Sequence, residues 1–226
     1  MNVPDQSAAL AADRARAQEL TPVSRETLGR LDRLVETLLE WQQTRNLISP
    51  STIPIIWTRH VADSLQLLDL APDAKTWVDL GSGGGFPGLV LAIALMERAG
   101  AKIHLVESTA KKCAFLQAVI DSLALPAEVH CQRIENFVPT FPTKPDVVTA
   151  RALAPLPKLL EMAFPLLKRG TRGLFLKGQD VGAELTEAAK YWIISHKLVP
   201  SRTDDRARIV VIDNLESRRP ARRLDR

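Results

Sequence analysis

Sulfur and aromatic side chains are scarce in this 226-residue chain, which has two cysteines, three methionines and one tyrosine. Cys113 and Cys131 are too isolated for a disulfide framework or a zinc cluster. We read them as a buried pair of reduced thiols and expect no metal site. No stretch reaches the roughly 18 apolar residues that a membrane span needs, so no membrane association is expected. The Ala-rich first twenty residues are broken by Asp13, Arg14, Arg16 and Glu19 and contain no apolar core. That excludes a secretory signal, and a cytoplasmic protein is the expectation. No internal repeat or low-complexity segment appears.

What is present describes a globular α/β protein. Hydrophobic residues make up 46% of the chain, enough for a large core, and charged residues 25%. The net charge of +4 suits a polyanionic partner without demanding one. Much of the surplus lies at the end, where Arg218, Arg219, Arg222, Arg223 and Arg226 face only Glu216 and Asp225.

Composition divides the chain into four parts. Residues 1–24 have few large apolar side chains and are expected to be mobile or loosely helical. Residues 25–72 read as a helical extension packed on the main domain. Ser24 is a candidate N-cap, followed by a stripe of Leu28, Leu31, Leu34, Val35, Leu38, Leu39 and Trp41. A second helix is expected over about 54–69, with Ile56, His60, Val61, Ser64, Leu65 and Leu68 inward. Residues 73–215 alternate strands and helices, as a parallel sheet requires, and 216–226 form a basic tail. Strands are expected near 76–80, 102–107, 127–132, 146–150, 172–177, 197–202 and 208–214, and helices near 87–99, 109–124, 155–168 and 181–195. The last, apolar strand suits an antiparallel final hairpin.

Residues 76–88 carry the strongest signal. A short strand runs into Asp79, glycines 81, 83, 84 and 85, then Pro87 opening an apolar helix. Glycines at a strand end let the backbone turn tightly and approach a ligand. Free N–H groups of the helix start are expected to face an anionic ligand group. Two registers compete. Gly83, Gly85 and Gly88 satisfy the dinucleotide pattern G-x-G-x-x-G, which should follow the strand directly. Asp79, Gly81, Gly83 and Gly85 instead resemble motif I of the S-adenosylmethionine-dependent methyltransferases. An acid there makes little sense beside a pyrophosphate but good sense near an ammonium and a sulfonium. The second register is preferred. It implies a class I S-adenosylmethionine-dependent methyltransferase (Rossmann-like) sheet of about seven strands with an N-terminal helical extension.

Other residues are weighed one by one. Glu107 ends the second strand, where an acid accepts hydrogen bonds from ribose hydroxyls; the plainer role is support of the next helix start. Lys111 and Lys112 read as solvated. In Arg133-Ile-Glu-Asn-Phe137, Ile134 and Glu135 fit an adenine ring and its exocyclic amine, or an ordinary polar loop. The fourth strand ends without the Asn/Asp-Pro-Pro-aromatic tetrapeptide of adenine amino-methyltransferases. It also lacks the nucleophilic cysteine of cytosine-C5 enzymes. Arg151 remains there, directed at the cleft or at an ion pair with Asp146 or Glu135. Lys177 ends the fifth strand before Gly178 and is a candidate to face the cleft mouth or an RNA phosphate. His60, with Asp63 and Ser64, either supports the substrate site or is a hydrogen-bonded core residue.

The ordered set Asn46-Leu47, Arg59-His60-x-x-Asp63-Ser64, Asp79-x-Gly-x-Gly-x-Gly-Phe-Pro-Gly88, Glu107-x-x-x-Lys111-Lys112-x-x-Phe115-Leu116, Arg133-x-Glu135-x-Phe137, Thr149-x-Arg151-Ala152 and Lys177-Gly178 goes further. It resembles the ribosomal RNA small-subunit methyltransferase G family, also called glucose-inhibited division protein B, over about residues 28–215. The resemblance implies methylation of N(7) of one guanine in the helix 18 loop of 16S rRNA, near the decoding site. The partner would be 16S rRNA or the small ribosomal subunit, and the protein a monomer. By motif position it implies that Gly81, Phe86, Ile134, Glu135 and Arg151 contact S-adenosylmethionine, beside Gly83 and Glu107 from the loop and strand reading. A small metabolite or a protein is the alternative acceptor. Guanine N(7) has a lone pair and no proton, so no general base is required and no catalytic residue is named.

Overall fold

The computed structural model describes residues 3–218. The expected basic tail falls mostly on residues 219–226, which lie outside the described residues.

The chain opens with α1 (Val3–Leu20) and α2 (Arg25–Gln42). Ser24 caps α2, its Oγ accepting from the Thr27 amide at 3.2 Å, and Leu31, Leu34, Val35 and Leu38 are buried along the expected stripe. The segment expected to be mobile or loosely helical is thus an 18-residue helix. Polar ties hold it, together with Ala17 and Leu10, which pack on the core. Arg14 grips Asp32 of α2 with two bonds of 2.6 and 2.7 Å. The buried Asp13 accepts from the Trp57 amide at 2.8 Å and the Thr58 hydroxyl at 2.6 Å.

The expected second helix is a succession of differently wound turns. A 3₁₀ stretch (Pro50–Ile55) passes into a π turn (Trp57–Ala62), one α turn, α3 (Asp63–Leu65), and a second 3₁₀ stretch (Gln66–Leu70). Pro54 cannot donate to a regular ladder, and the wide turn follows it. Ile56, His60, Val61, Ser64 and Leu65 are nevertheless buried, as their spacing predicts.

The sheet has seven strands: β1 (Thr76–Leu80), β2 (Lys102–Glu107), β3 (Ala127–Cys131), β4 (Val147–Arg151), β5 (Arg172–Lys177), β6 (Trp192–Pro200) and β7 (Arg208–Ser217). Their order is β3-β2-β1-β4-β5-β7-β6. β1 to β5 are parallel, and β7 runs antiparallel to both β5 and β6. The remaining helices are α4 (Gly88–Ala94), α5 (Ala110–Leu123), α6 (Ile134–Thr140), α7 (Leu156–Leu167) and α8 (Val181–Ala188). Alternate strand residues feed two cores, as the two-residue period of a strand requires. Trp77, Leu105 and Leu174 join α2, α4 and α5 on one face. Val78, Val106 and Phe175 join α6 and α7 on the other.

Four elements of this domain differ from expectation. Helix α8 stops at Ala188, and β6 begins at Trp192, where burial alternates and Trp192–Ser195 pair with Asn214–Ser217. An apolar Trp-Ile-Ile run satisfies either period, and the partner strand decides. Residues 134–140 wind into α6 rather than a loop, and α4 ends at Ala94.

Candidate cofactor and acceptor site

The strand order reverses between β1 and β4, and a crevice opens there at the carboxyl ends of the strands. The glycine loop forms its floor. Gly81, Gly83 and Gly85 take positive φ of 71°, 53° and 89°, a conformation that costs a side-chain-bearing residue far more. A cleft of about 320 Å³ lies above. Gly81, Gly83 and Phe86 line it from the loop, Leu47 and Ile48 from the chain after α2, and Arg151 from the end of β4. The roof therefore comes from the helical extension. A Cβ on Gly84 would stand 3.1 Å from both Ile48 Cγ2 and the Leu47 carbonyl, so loop and roof are in close contact there.

Asp79 does not line this cleft. It is 1% exposed, with Oδ1 accepting from Thr149 Oγ1 at 3.1 Å and Oδ2 from the Gly88 amide at 3.2 Å. Burial pushes its pKa up to about 6. The expectation that it lies near a ligand cation gives way to a brace between β1, β4 and α4. For the same reason the helix start is not an open anion site. The Gly88 amide is given to Asp79, and the Leu89 amide to the Gly85 carbonyl at 2.8 Å.

Glu107 sits beside the loop. Its two oxygens accept from the Gly83 amide at 3.1 Å and the Thr109 amide at 2.8 Å, so it supports the next helix and fastens the glycine turn together. Each oxygen keeps a lone pair for a hydroxyl donor. Ile134 and Glu135 begin α6 at the carboxyl end of β3. Ile134 is buried in the core, Glu135 is exposed, and neither lines the cleft. Lys112, read as solvated, does line it.

Arg151 organises the far wall. Nη2 donates to His60 Nδ1, Nη1 donates to the Arg59 carbonyl at 3.2 Å, and the Asp63 carboxylate lies 4.0 Å away. The guanidinium lies over the Phe86 ring, 5.5 Å from its centroid. Burial lowers the pKa of Arg151 to about 10, which leaves it charged at neutral pH. Since arginine only donates, His60 Nδ1 must accept, and its Nε2–H then donates to Thr52 Oγ1 at 2.9 Å. Burial and the neighbouring Arg151 push His60 down to about 2, so it is a neutral imidazole. Burial raises the Asp63 pKa, against the pull of Arg151 and a 2.9 Å bond from Thr203.

A second cavity of about 150 Å³ adjoins the first and shares Arg59, Arg151 and Ala152 with it. Asp63, Lys177, Ser201 and Asp204 complete much of its wall. Lys177 is not free for a phosphate. Its amine is bound to Glu184 at 2.6 Å and to the Ala154 carbonyl at 3.0 Å. The structure thus brings Gly81, Gly83, Phe86, His60 and Arg151 around one cleft, sets Glu107 behind it and Lys177 beside the next, and leaves Ile134 and Glu135 outside. Asp63 was signalled by its spacing from His60. Ser201, Thr203 and Asp204 gave no signal, because a loop between β6 and β7 delivers them.

The residues suit a nucleoside-type ligand. Loop glycines admit close backbone approach, and the Nε of Arg151 is buried without a hydrogen-bond partner among the described residues, at the wall common to both cavities.

Sheet order, glycine loop and crevice are those of the class I S-adenosylmethionine-dependent methyltransferases. Solved structures agree on the fold. An O-methyltransferase from Bacillus cereus, in complex with S-adenosylhomocysteine, superposes with a TM-score of 0.60 at 14% identity, covering 92% of this chain and 100% of that one. A putative O-methyltransferase from Klebsiella pneumoniae gives 0.59 at 12% identity, covering 92% and 99%. At the level of sequence, the family model for rRNA small subunit methyltransferase G matches residues 27–209. Ribosomal RNA small subunit methyltransferase G of Bradyrhizobium sp. strain BTAi1 is 61% identical over 210 residues, covering 93% of this chain and 95% of the relative. Its counterpart from strain ORS 278 is 60% identical over 209 residues, covering 92% and 94%. The chain belongs to the rRNA small subunit methyltransferase G family.

Proposed function

We propose that this chain transfers the methyl group of S-adenosylmethionine to N(7) of one guanine in the helix 18 loop of 16S rRNA. One observation carries the reading: two adjoining cavities at the strand reversal share the wall that Arg151 builds. The cleft over the glycine loop takes the cofactor, and the second cavity takes the base. When bound, S-adenosylmethionine supplies a methyl group on a cationic sulfur. Gly81 and Gly83 let the backbone approach it, Phe86 offers a ring face, and Glu107 accepts from the ribose. Ile134 and Glu135 are assigned to the adenine edge on the family motif alone. Arg151 spans both cavities, and His60, locked in one tautomer, positions it.

N(7) attacks with its own lone pair, so the enzyme's work is alignment and exclusion of water. The product purine is cationic, and the carboxylates of Asp63 and Asp204 in the second cavity favour it. N(7) lies on the major-groove edge, which A-form RNA hides from side chains. The guanine must therefore come from a loop or be extruded. Arg59, Lys112 and Arg208 line the two cavities and supply cationic contacts for the backbone. The family resemblance implies a monomer. Among the described residues no helix is long and apolar enough to cross a membrane. The substrate places the protein with ribosomal subunits in the cytoplasm.

The test is the product. A methylated N(7) makes the guanosine labile to borohydride and aniline, so strand scission in 16S rRNA reports the site. Scission lost in a deletion strain, and restored by wild type but not by an Arg151 variant, supports the assignment. Scission that persists in the deletion strain rejects it and turns attention to a small metabolite or protein acceptor.

A further inference from the structure

Away from the crevice, the outer end of the sheet gathers three potential metal ligands. His104 of β2 is paired in register with Glu128 of the edge strand β3, and His130 follows two residues on. Paired residues, and residues two apart, point to one face of a sheet, so all three side chains converge there. His104 Nδ1 and His130 Nε2 lie 2.9 Å apart, with Glu128 Oε1 4.0 Å from the latter. One ligand atom from each residue falls within 4.8 Å of the others.

We infer that His104, Glu128 and His130 form a binding site for a zinc ion, with the fourth position left to solvent. Two imidazoles and a carboxylate are a ligand set that zinc favours. Nitrogen and oxygen ligands about 2.0–2.1 Å from a tetrahedral ion stand about 3.3 Å from one another, so the imidazoles need part by only about 0.4 Å. Glu128, half exposed, closes the remaining distance by a rotamer change and leaves an entry path. Its other oxygen is held by Lys102 at 3.1 Å. A neutral imidazole carries one N–H and one free lone pair, and the lone pair is what a metal ion takes. In the metal-free pair one nitrogen donates to the other. Moving that proton to the far nitrogen of the same ring frees both lone pairs without net proton release.

The surroundings hold the rings in place. Phe141 packs edge-on to His104 at 4.9 Å between centroids, and Phe137 lies 4.5 Å from His130. Both phenylalanines stand on or just after α6, so occupancy would pin that helix to the sheet. The spacing in the sequence hid the cluster, because His104 lies 26 residues from His130 and only strand pairing joins them.

The experiment is calorimetric titration of the full chain with zinc chloride after chelation and dialysis, with cobalt(II) absorption as a second probe. We expect one equivalent bound with micromolar or tighter affinity, a tetrahedral cobalt spectrum, and a melting temperature that rises with zinc. Glu128→Gln, at an exposed position that leaves the fold intact, should weaken binding at least about tenfold, and His104→Gln and His130→Gln should abolish it. Cys113→Ser and Cys131→Ser should change nothing. Failure of wild type to saturate below about 1 mM, or wild-type affinity in Glu128→Gln, would overturn the site and leave a hydrogen-bonded histidine pair. Loss of binding in the cysteine variants would overturn it equally.

Discussion

Two walls of the cleft face each other and are built in different ways. The glycine loop combines bonds within ten residues with ties to the end of β2, where the Gly81 and Ser82 amides donate to the Val106 carbonyl and the Gly83 amide to Glu107. Ser82 Oγ donates to the Asp79 carbonyl at 3.1 Å, the Gly85 amide to the Ser82 carbonyl at 2.7 Å, and the Gly88 amide to Asp79 at 3.2 Å. The helical segment over residues 50–70 is held from far away. His60 meets Arg151 across 91 residues, Asp63 accepts from Thr203 across 140, and Gln66 Oε1 accepts from the Arg202 amide across 136. The loop therefore depends on neighbouring strand ends as well as on its own residues. A segment wound as 3₁₀, π and α turns in succession keeps its shape only while its distant partners stay in place.

Gly88→Ala should do the greatest damage. An added Cβ collides with Leu105 and comes within 2.7 Å of Asp79 Oδ2. Overpacking together with a displaced buried carboxylate should cost about 4 kcal/mol in urea denaturation. A loss below about 1 kcal/mol would mean the loop is less tightly built than its bonds imply.

Arg151→Met strikes the other wall by removing the partner of His60 and of the buried Asp63. Breaking that pair should cost about 3 kcal/mol and abolish methyl transfer. If stability and S-adenosylhomocysteine affinity both survive, the long-range anchors are not what holds residues 50–70.

Glu107→Gln tests the loop through the ligand. An amide keeps only part of the acceptor capacity that serves Gly83 and Thr109, and S-adenosylhomocysteine affinity should fall by about 2 kcal/mol in calorimetry. Unchanged affinity would move the ribose elsewhere.

Titration sharpens the contrast further, because the two walls have opposite signs. Asp79 has a folded pKa of about 6 against 3.8, so the native state binds the extra proton and stability falls as pH rises between those values. His60 has a folded pKa of about 2 against 6.5, so the unfolded chain binds the extra proton and stability rises with pH over that range. Each contributes a slope of up to about 1.4 kcal/mol per pH unit. Between about pH 4 and 6, Asp79→Asn should therefore steepen the rise in stability relative to wild type, and His60→Gln should flatten or invert it. Equal slopes in all three proteins would refute both assignments.

The smallest effect belongs to Lys177→Met, which loses the ion pair with Glu184. It should cost about 1 kcal/mol of stability and leave the salt dependence of RNA association unchanged. A fall in slope of about 0.7–0.9 would instead reveal a phosphate contact.

The sequence alone determined the elements whose causes are local. Four closely spaced glycines and a strand-end acid define the loop, Ser24 and a leucine stripe define α2, and alternation defines the parallel sheet. The ordered motifs also identify the family. Tertiary structure decided the rest. Asp79 became a buried brace because Thr149, 70 residues away, and Gly88 claim its oxygens. Lys177 turned inward because α8 brings Glu184 to it, and α1 docked through Asp13 and Arg14 despite lacking an apolar stripe. Trp192–Ser195 became strand because β7 offered a ladder. A short-range pattern specifies backbone conformation, but the partner of a side chain depends on which distant strand ends the sheet sets side by side.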